Sequence, residues 1–436
     1  MAGNELLPAA VLDELLDTYG VAGVSVAVLK PGGDGTVETQ VAGLSCRDPE
    51  LPMFDSTWLE IASLSKTFAA AFMLEYFKSH GVAEDAAVNP LLREAGSAFE
   101  LKVADGQPPD WAEQVTLAQL VNHTGLGMHY VNGVPLSEAM PAVCDLISGS
   151  DAAPAPYGYA SLELTKEPGT QFGYSGGGFL VLQHLLELRE KRPIAEIMAP
   201  FLRGYGTAVS LGLSFETKNV PGKQYAEGYR EDGQRVQDGR LMFPPLAAGA
   251  LGTPAALLDW LRQLALAYKR PEGCGGLSHE TAVQMLTAGP DLGSVAFMRA
   301  RVGLGVFIFE SKAADQSEPS KWMLHQAAND GFRGLYLVCF DGPDAALGPR
   351  GFVILSNGDN NAMLLNCCVA RRLLQSDVAF QPPLTALDWS KVPALKGAGD
   401  GESDSGEGGF SLEGVKQEEI VNMGIQALVL NAFVTE

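Results

Sequence analysis

Ser63-Leu64-Ser65-Lys66 places a hydroxyl and an amine three residues apart, and the chain holds this S-x-x-K spacing once. Residues three apart on a helix share a face, so the two groups can meet. A serine hydroxyl is a poor nucleophile until a base takes its proton. Neutral lysine is such a base, but its ordinary pKa of about 10.4 must first be depressed. Ile61, Ala62, Leu64, Phe68 and Ala69 surround Lys66 with the apolar surface that does this. A serine at a helix N-terminus also has unpaired backbone N–H groups beside it, suited to an oxyanion. Alone, the motif equally describes a helix-capping serine followed by a surface lysine, and context has to decide.

A second nucleophile pattern lies in FGYSGGGF, residues 172–179, where Gly173-Tyr174-Ser175-Gly176-Gly177 spells G-x-S-x-G. In a nucleophile elbow that serine follows a buried strand directly. Here Glu167-Pro168-Gly169-Thr170-Gln171 precedes it, which is poor strand material. No HGGG-type loop accompanies it, although His325 stands downstream where a triad base would be needed. Ser175 is therefore expected to be a bystander. The six histidines form no H-x-x-x-H pair and the six cysteines no C-x-x-C pair, so neither a metal nor a cofactor is expected.

The elements that must position these groups follow from periodicity. Residues 9–19 carry Val11, Leu12, Leu15, Leu16 and Tyr19 on one helical face. VAGVSVAVLK (21–30) and VETQVAGLS (37–45) flank PGGDGT and predict an antiparallel hairpin. The Ser63 motif opens a helical run over 61–77. From 80 to about 245, helical runs such as LAQLVNH and FLVLQHLLELRE alternate with Gly/Pro-rich loops, without clear strands. A helix over 255–269 precedes strands at 302–310, 334–340 and 351–357, and a helix at 363–375 follows. The expected fold is α+β: an antiparallel sheet built from both chain ends, flanked by helices, with a mostly helical insertion. Its parts are 1–78 with 246–390 for the sheet region, and 79–245 for the helical region. GAGDGESDSGEGG (397–409) reads as an acidic disordered linker. Residues 410–436 form a tail in which Val421, Ile425, Leu428, Val429 and Phe433 fall at helical spacing, to dock on the chain's own core or on a partner.

Composition narrows the function classes. Of 436 residues, 46% are hydrophobic and 19% charged, enough apolar surface for a large core. The net charge of −22 repels phosphate backbones and anionic membranes, which sets nucleic-acid partners aside. No apolar run approaches a membrane span, and MAGNELLPAAVLDELLDTYG lacks the apolar centre of a signal peptide. The cytosol is the expected compartment. Cys339, Cys367 and Cys368 lie in apolar runs and read as small buried hydrophobes.

A hairpin followed by SLSK at the head of a long helix resembles the serine β-lactamase and penicillin-binding-protein superfamily, within it the class C β-lactamase branch with its family VIII carboxylesterases. Six stretches fit that branch in order: GVAGVSVAVLK, DSTWLEIASLSKTF, LAQLVNHTGLG (117–127), EPGTQFGYSGGGFLVLQHLLE (167–187), AAGALGTPAALLDWL (247–261) and LHQAANDGFRG (324–334). The resemblance implies that Ser63 accepts the acyl group, Lys66 serves as its base, and Tyr174 exchanges protons with the pair and the leaving group. It also implies an oxyanion hole from the N–H groups of Ser63 and Ala328. His325, Ala327, Asn329 and His123 would border a small-molecule ester, amide or lactam. The sequence departs from the branch at two places. Gly176 replaces the asparagine two residues after the tyrosine, and His325-Gln326-Ala327 replaces Lys-Thr-Gly. Losing that lysine removes a partner for a substrate carboxylate, which favours a neutral ester or amide, or acyl transfer, over a β-lactam. A binding or scaffold member without turnover is the alternative from another class.

Overall fold

The computed structural model describes residues 5–32, 35–127, 129, 132–149, 162–384, 386–392, 424–426 and 428–433. The acidic stretch 397–409 lies outside them.

Nine strands matter for the site: β1 (Gly23–Leu29), β2 (Val37–Arg47), β3 (Glu50–Pro52), β4 (Leu59–Glu60), β5 (Arg301–Val302), β6 (Phe307–Ser311), β7 (Ser320–Asn329), β8 (Phe332–Asp341) and β9 (Arg350–Ser356). All but β4 join one sheet in the order β5-β6-β7-β8-β9-β1-β2-β3. Its pairings are antiparallel, and β1 meets β9 with Val24 opposite Ser356. The sheet is thus built from both ends of the chain, as expected.

Both faces of the central strands are buried, because helices cover each side. Val24, Val26 and Val28 turn one way, towards α1 (Ala9–Tyr19) and α5 (Asn360–Gln375). Ala27 and Leu29 turn the other way, towards α2 (Ser65–Ser79) and α4 (Pro254–Lys269). This is the two-residue alternation of a strand with apolar residues on both faces. Thr253 caps α4 by accepting the Ala256 N–H, with Pro254 in the first turn. Trp260 of α4 then packs on Phe68 of α2, ring centroids 4.3 Å apart. The intervening region carries α3 (Gly177–Glu190) and shorter helices, with strands of only two residues among the described positions.

Three expectations change. The apolar run 302–310 is a hairpin rather than one strand: β5 and β6 pair with Val302 opposite Phe307. The Gly303 N–H donates to Val306 O at 2.9 Å, and Gly305 turns at φ +73°, where a side chain would be strained. Ser63 lies on a 3₁₀ turn, Ala62–Leu64, and the α-helix starts two residues later. The described tail residues, 424–426 and 428–433, form a short helical turn and then a 3₁₀ turn, with Val421 outside the described residues. It docks on the chain's own core: the Phe433 ring lies 5.0 Å from those of Phe309 and Trp322. No helix among the described residues is long and apolar enough to cross a membrane.

Candidate active site

The Ser63 turn is pinned from two sides. Ile61 N–H donates to Ala250 O at 3.1 Å, and Leu64 N–H to Ile61 O at 3.0 Å. Ser65 is fully buried; its hydroxyl donates to Ala62 O at 2.6 Å and accepts the Ala250 N–H at 3.1 Å. Ser65 is thereby committed to structure, and Ser63 is the motif serine left part-exposed. Ala62 sits at φ +44°, a costly backbone for a residue with a side chain, directly before Ser63. Strain of this kind is held only where the surroundings over-determine it.

Lys66 is 2% exposed. Its ammonium nitrogen donates to Ser63 Oγ at 3.0 Å and to Ala247 O at 2.6 Å. Ala247 belongs to the wide turn Pro245–Gly249. Burial pushes the Lys66 pKa down to about 7, so a large neutral fraction exists at neutral pH. The same burial, with Lys66 nearby, holds His325 down to about 3 and His123 well below the ordinary histidine value. Both imidazoles are neutral at pH 7.

Tyr174 faces this lysine: Lys66 Nζ lies 5.1 Å from its ring centroid, a cation–π distance. Its ring packs 4.4 Å from that of His123 and stacks on Phe297 at 5.5 Å. His123 fixes the loop on either side of the tyrosine. Its carbonyl accepts the Gly173 N–H at 2.8 Å, and its Nδ1 accepts the Ser175 N–H at 3.1 Å. Helix α3 then starts at Gly177. A Cβ on Gly178 would stand 2.3 Å from Leu120 O, so glycine is needed for that close approach. Ser175 itself is buried, and its hydroxyl has no hydrogen bond among the described residues. Residues 165–174 hold no strand, so the strand-turn-helix of an elbow is missing.

The third side is β7. Its pairing with β6 ends at Leu324 opposite Phe307, which frees one edge of residues 325–329 beside the Ser63 turn. Ala328 is the part-exposed residue there, while Ala327 is buried. His325 Nδ1 lies 2.6 Å from Gln326 O; a carbonyl only accepts, so Nδ1 carries the proton. Nε2 is then a buried lone pair with no partner among the described residues. The His325 ring is 6.0 Å from that of Tyr174 and 5.4 Å from that of Phe307. Asn329 turns inward. Its amide donates to Glu60 Oε2 at 2.6 Å and to Ala248 O at 3.0 Å, both protein partners.

Ser63, Lys66, Tyr174 and His325 are therefore together, with His123 behind the tyrosine and Asn329 at the end of the strand. Sequence reasoning passed over Glu60, the Ala247 carbonyl, Phe297 and Phe307. A lone acid in the apolar run Leu59-Glu60-Ile61 was the available signal for Glu60. A backbone acceptor and aromatic neighbours supplied from distant segments leave no such mark.

The family model described as Beta-lactamase matches residues 9–366. No curated protein sequence matches the chain at a significant level. Among solved structures the chain is similar to the octameric penicillin-binding protein homologue from Pyrococcus abyssi. The TM-score is 0.60 at 18% identity, over 87% of this chain and 80% of that one. A class C beta-lactamase gives a TM-score of 0.59 at 17% identity, covering 84% and 95%. D-alanine carboxypeptidase AmpC from Burkholderia cenocepacia gives 0.58 at 18% identity, covering 84% and 97%. At these identities the structural likeness is one of fold. The family match is broader evidence, since it runs through the Ser63 turn, the Tyr174 loop and the β7 edge: the chain belongs to the beta-lactamase family.

Proposed function

We propose that the protein is a serine hydrolase that forms an acyl-Ser63 intermediate on a neutral carboxylic ester or amide. The observation that carries this reading is the buried Lys66 ammonium nitrogen 3.0 Å from Ser63 Oγ, with its pKa lowered to about 7. Neutral Lys66 takes the hydroxyl proton as Ser63 Oγ bonds to the acyl carbon. The bond from that carbon to the alcohol or amine breaks, and the leaving group gains a proton through Tyr174. Water then attacks the acyl carbon, the bond from that carbon to Ser63 Oγ breaks, one water proton passes through the same pair to Oγ, and the carboxylic acid leaves. In both steps the developing oxyanion is held by the N–H groups of Ser63 and Ala328. His325 offers its neutral Nε2 to the substrate.

A neutral substrate is favoured by what surrounds the serine. Lys66 is half neutral near pH 7, and His123 and His325 are neutral there, so neither histidine supplies a cation for a substrate carboxylate and Lys66 does so only in part. Cleavage of amides is supported as a chemistry of this fold by the D-amino acid amidase from Ochrobactrum anthropi, similar at a TM-score of 0.56 and 17% identity.

A fluorophosphonate label on the purified chain tests the reading. Labelling lost on Ser63→Ala and kept on Ser175→Ala is the expected result. Absence of labelling points to a binding or scaffold role instead. Turnover of nitrocefin faster than of p-nitrophenyl esters would overturn the substrate assignment. A gain in ester consumption on adding alcohol or amine would mark an acyltransferase.

A further inference from the structure

Glu60 is 3% exposed, three residues before Ser63, and its side chain reaches β7 rather than solvent. Its partner, the Asn329 amide, also donates to Ala248 O. One NH₂ group therefore joins three segments. Glu60 leads through Ile61 and Ala62 into the Ser63 turn. Ala248 follows Ala247, whose carbonyl holds Lys66. Asn329 follows Ala328 at the free edge of β7. A buried carboxyl group is a costly way to satisfy one amide, since a backbone carbonyl would do as well.

We propose that Glu60 is a positioning residue for acyl transfer: through Asn329 it sets the separation between the Ser63 turn and the Ala328 edge. The inference rests on the acyl-Ser63 reading above. Two N–H groups serve an oxyanion only when both stand about 3 Å from it, and they belong to the two segments that Glu60 and Asn329 tie together. The ground-state ester makes weaker demands on them. Loosening the tie therefore lowers kcat and tetrahedral-adduct affinity while leaving KM nearly unchanged. The charge of the Arg240 guanidinium favours the ionised form of Glu60, whose Oε1 has no hydrogen bond among the described residues. Arg240 is itself bonded to Asn219 and to Thr217 O, so it does not replace Asn329.

The test uses the full chain with Glu60→Ala, Glu60→Gln, Asn329→Ala and the Glu60→Ala/Asn329→Ala pair. Rates are counted per fluorophosphonate-labelled Ser63, so unfolded protein does not enter. Glu60→Gln, which keeps an acceptor, stays within about threefold of the parent. Glu60→Ala and Asn329→Ala each lower kcat for a p-nitrophenyl ester by about 10- to 100-fold, the scale of a small misplacement. The inhibition constant of phenylboronic acid rises by a similar factor, KM moves less than about twofold, and the pair is no worse than either single change. Unchanged kcat per labelled site, a loss confined to thermal stability, or additive losses in the pair would overturn the proposal. Labelling that survives Ser63→Ala would overturn the acyl-Ser63 reading, and this inference with it.

Discussion

Lys66 Nζ stands 3.0 Å from Ser63 Oγ and carries its second hydrogen bond to a backbone carbonyl, not to a carboxylate. An amine paired with neutral oxygens has little to hold its proton, and burial takes the pKa to about 7. The base form exists above that value. kcat/KM for a neutral ester is expected to rise with pH through a midpoint near 7 and then level off. His123 and His325 face the same lysine but stay neutral across this range, so they add no limb of their own. Lys66→Met should cost about 10²- to 10⁴-fold in kcat/KM, the usual worth of a positioned base. A rate already flat from pH 5 to 9 in the parent would contradict the assignment.

Tyr174 and Ser175 are adjacent and should behave oppositely. Tyr174→Phe keeps the ring packed on His123 and Phe297 and removes only the hydroxyl. A loss of about 10²- to 10⁴-fold in kcat is expected. Ser175→Ala deletes a buried hydroxyl that makes no hydrogen bond among the described residues, and activity should stay within a few-fold. Steady-state kinetics on the two variants side by side decides between the nucleophiles.

His123 works through the backbone. Replacing it with leucine keeps a buried side chain but leaves the Ser175 N–H without its acceptor, at a cost of about 1–3 kcal/mol. The urea midpoint should fall and kcat with it, while the pH midpoint near 7 stays, because His123 is not the titrating group.

Stability should carry the marks of Glu60 and Lys66 with opposite sign. Burial raises the Glu60 carboxyl to about 8 despite Arg240 and Asn329. Between about pH 4.3 and 8 the folded chain binds a proton that the unfolded chain has released, so stability falls as pH rises. Lys66 is lowered, so from about 7 to 10.4 the unfolded chain binds the extra proton and stability rises with pH. Each slope is at most about 1.4 kcal/mol per pH unit. Urea titrations from pH 5 to 9 should show the first slope flattened in Glu60→Gln and the second in Lys66→Met. Pair-independent slopes, identical in both variants, would count against the two burial assignments.

The C-terminal segment bears on the site from behind. Ile425, Leu428, Val429 and Phe433 are buried against the sheet, and the Gln426 amide donates to the Phe297 carbonyl. Phe297 is the ring stacked on Tyr174. Phe433→Ala should cost about 3 kcal/mol by urea denaturation. Gln426→Ala should lower kcat modestly at little cost in stability. Equal effects on both quantities would make the segment a plain piece of core.

Where local pattern and final environment agree, the chain was readable. Residues 9–19 and 255–269 carry apolar faces that the sheet covers, and the 21–45 hairpin has its turn residues in place. The Ser63–Lys66 pair was visible because one helical turn brings it together. The break at Gly303–Val306 was not, since the apolar run continues across it and only the packing of Gly305 on α2 explains the turn. A Cβ there would stand 2.4 Å from Ala70 Cβ. Glu60 and Asn329 are far apart in sequence and meet through folding alone. The tail shows helical spacing, yet its described helical residues give way to a 3₁₀ turn at Leu430–Ala432, and Phe433 beyond it packs on Phe309 and Trp322.

The pairing of β1 with β9 joins strands more than 300 residues apart, Val24 lying opposite Ser356. At about 5–20 residues per second, a growing chain leaves the hairpin waiting on the order of tens of seconds for the strand that covers its edge. The Ser63 turn is made more than 250 residues before the β7 edge that completes its surroundings. Under the acyl-Ser63 proposal, nascent chains halted before residue 320 should react with no acyl donor. An exposed strand edge held open for that time also makes the half-made chain a natural client for chaperones.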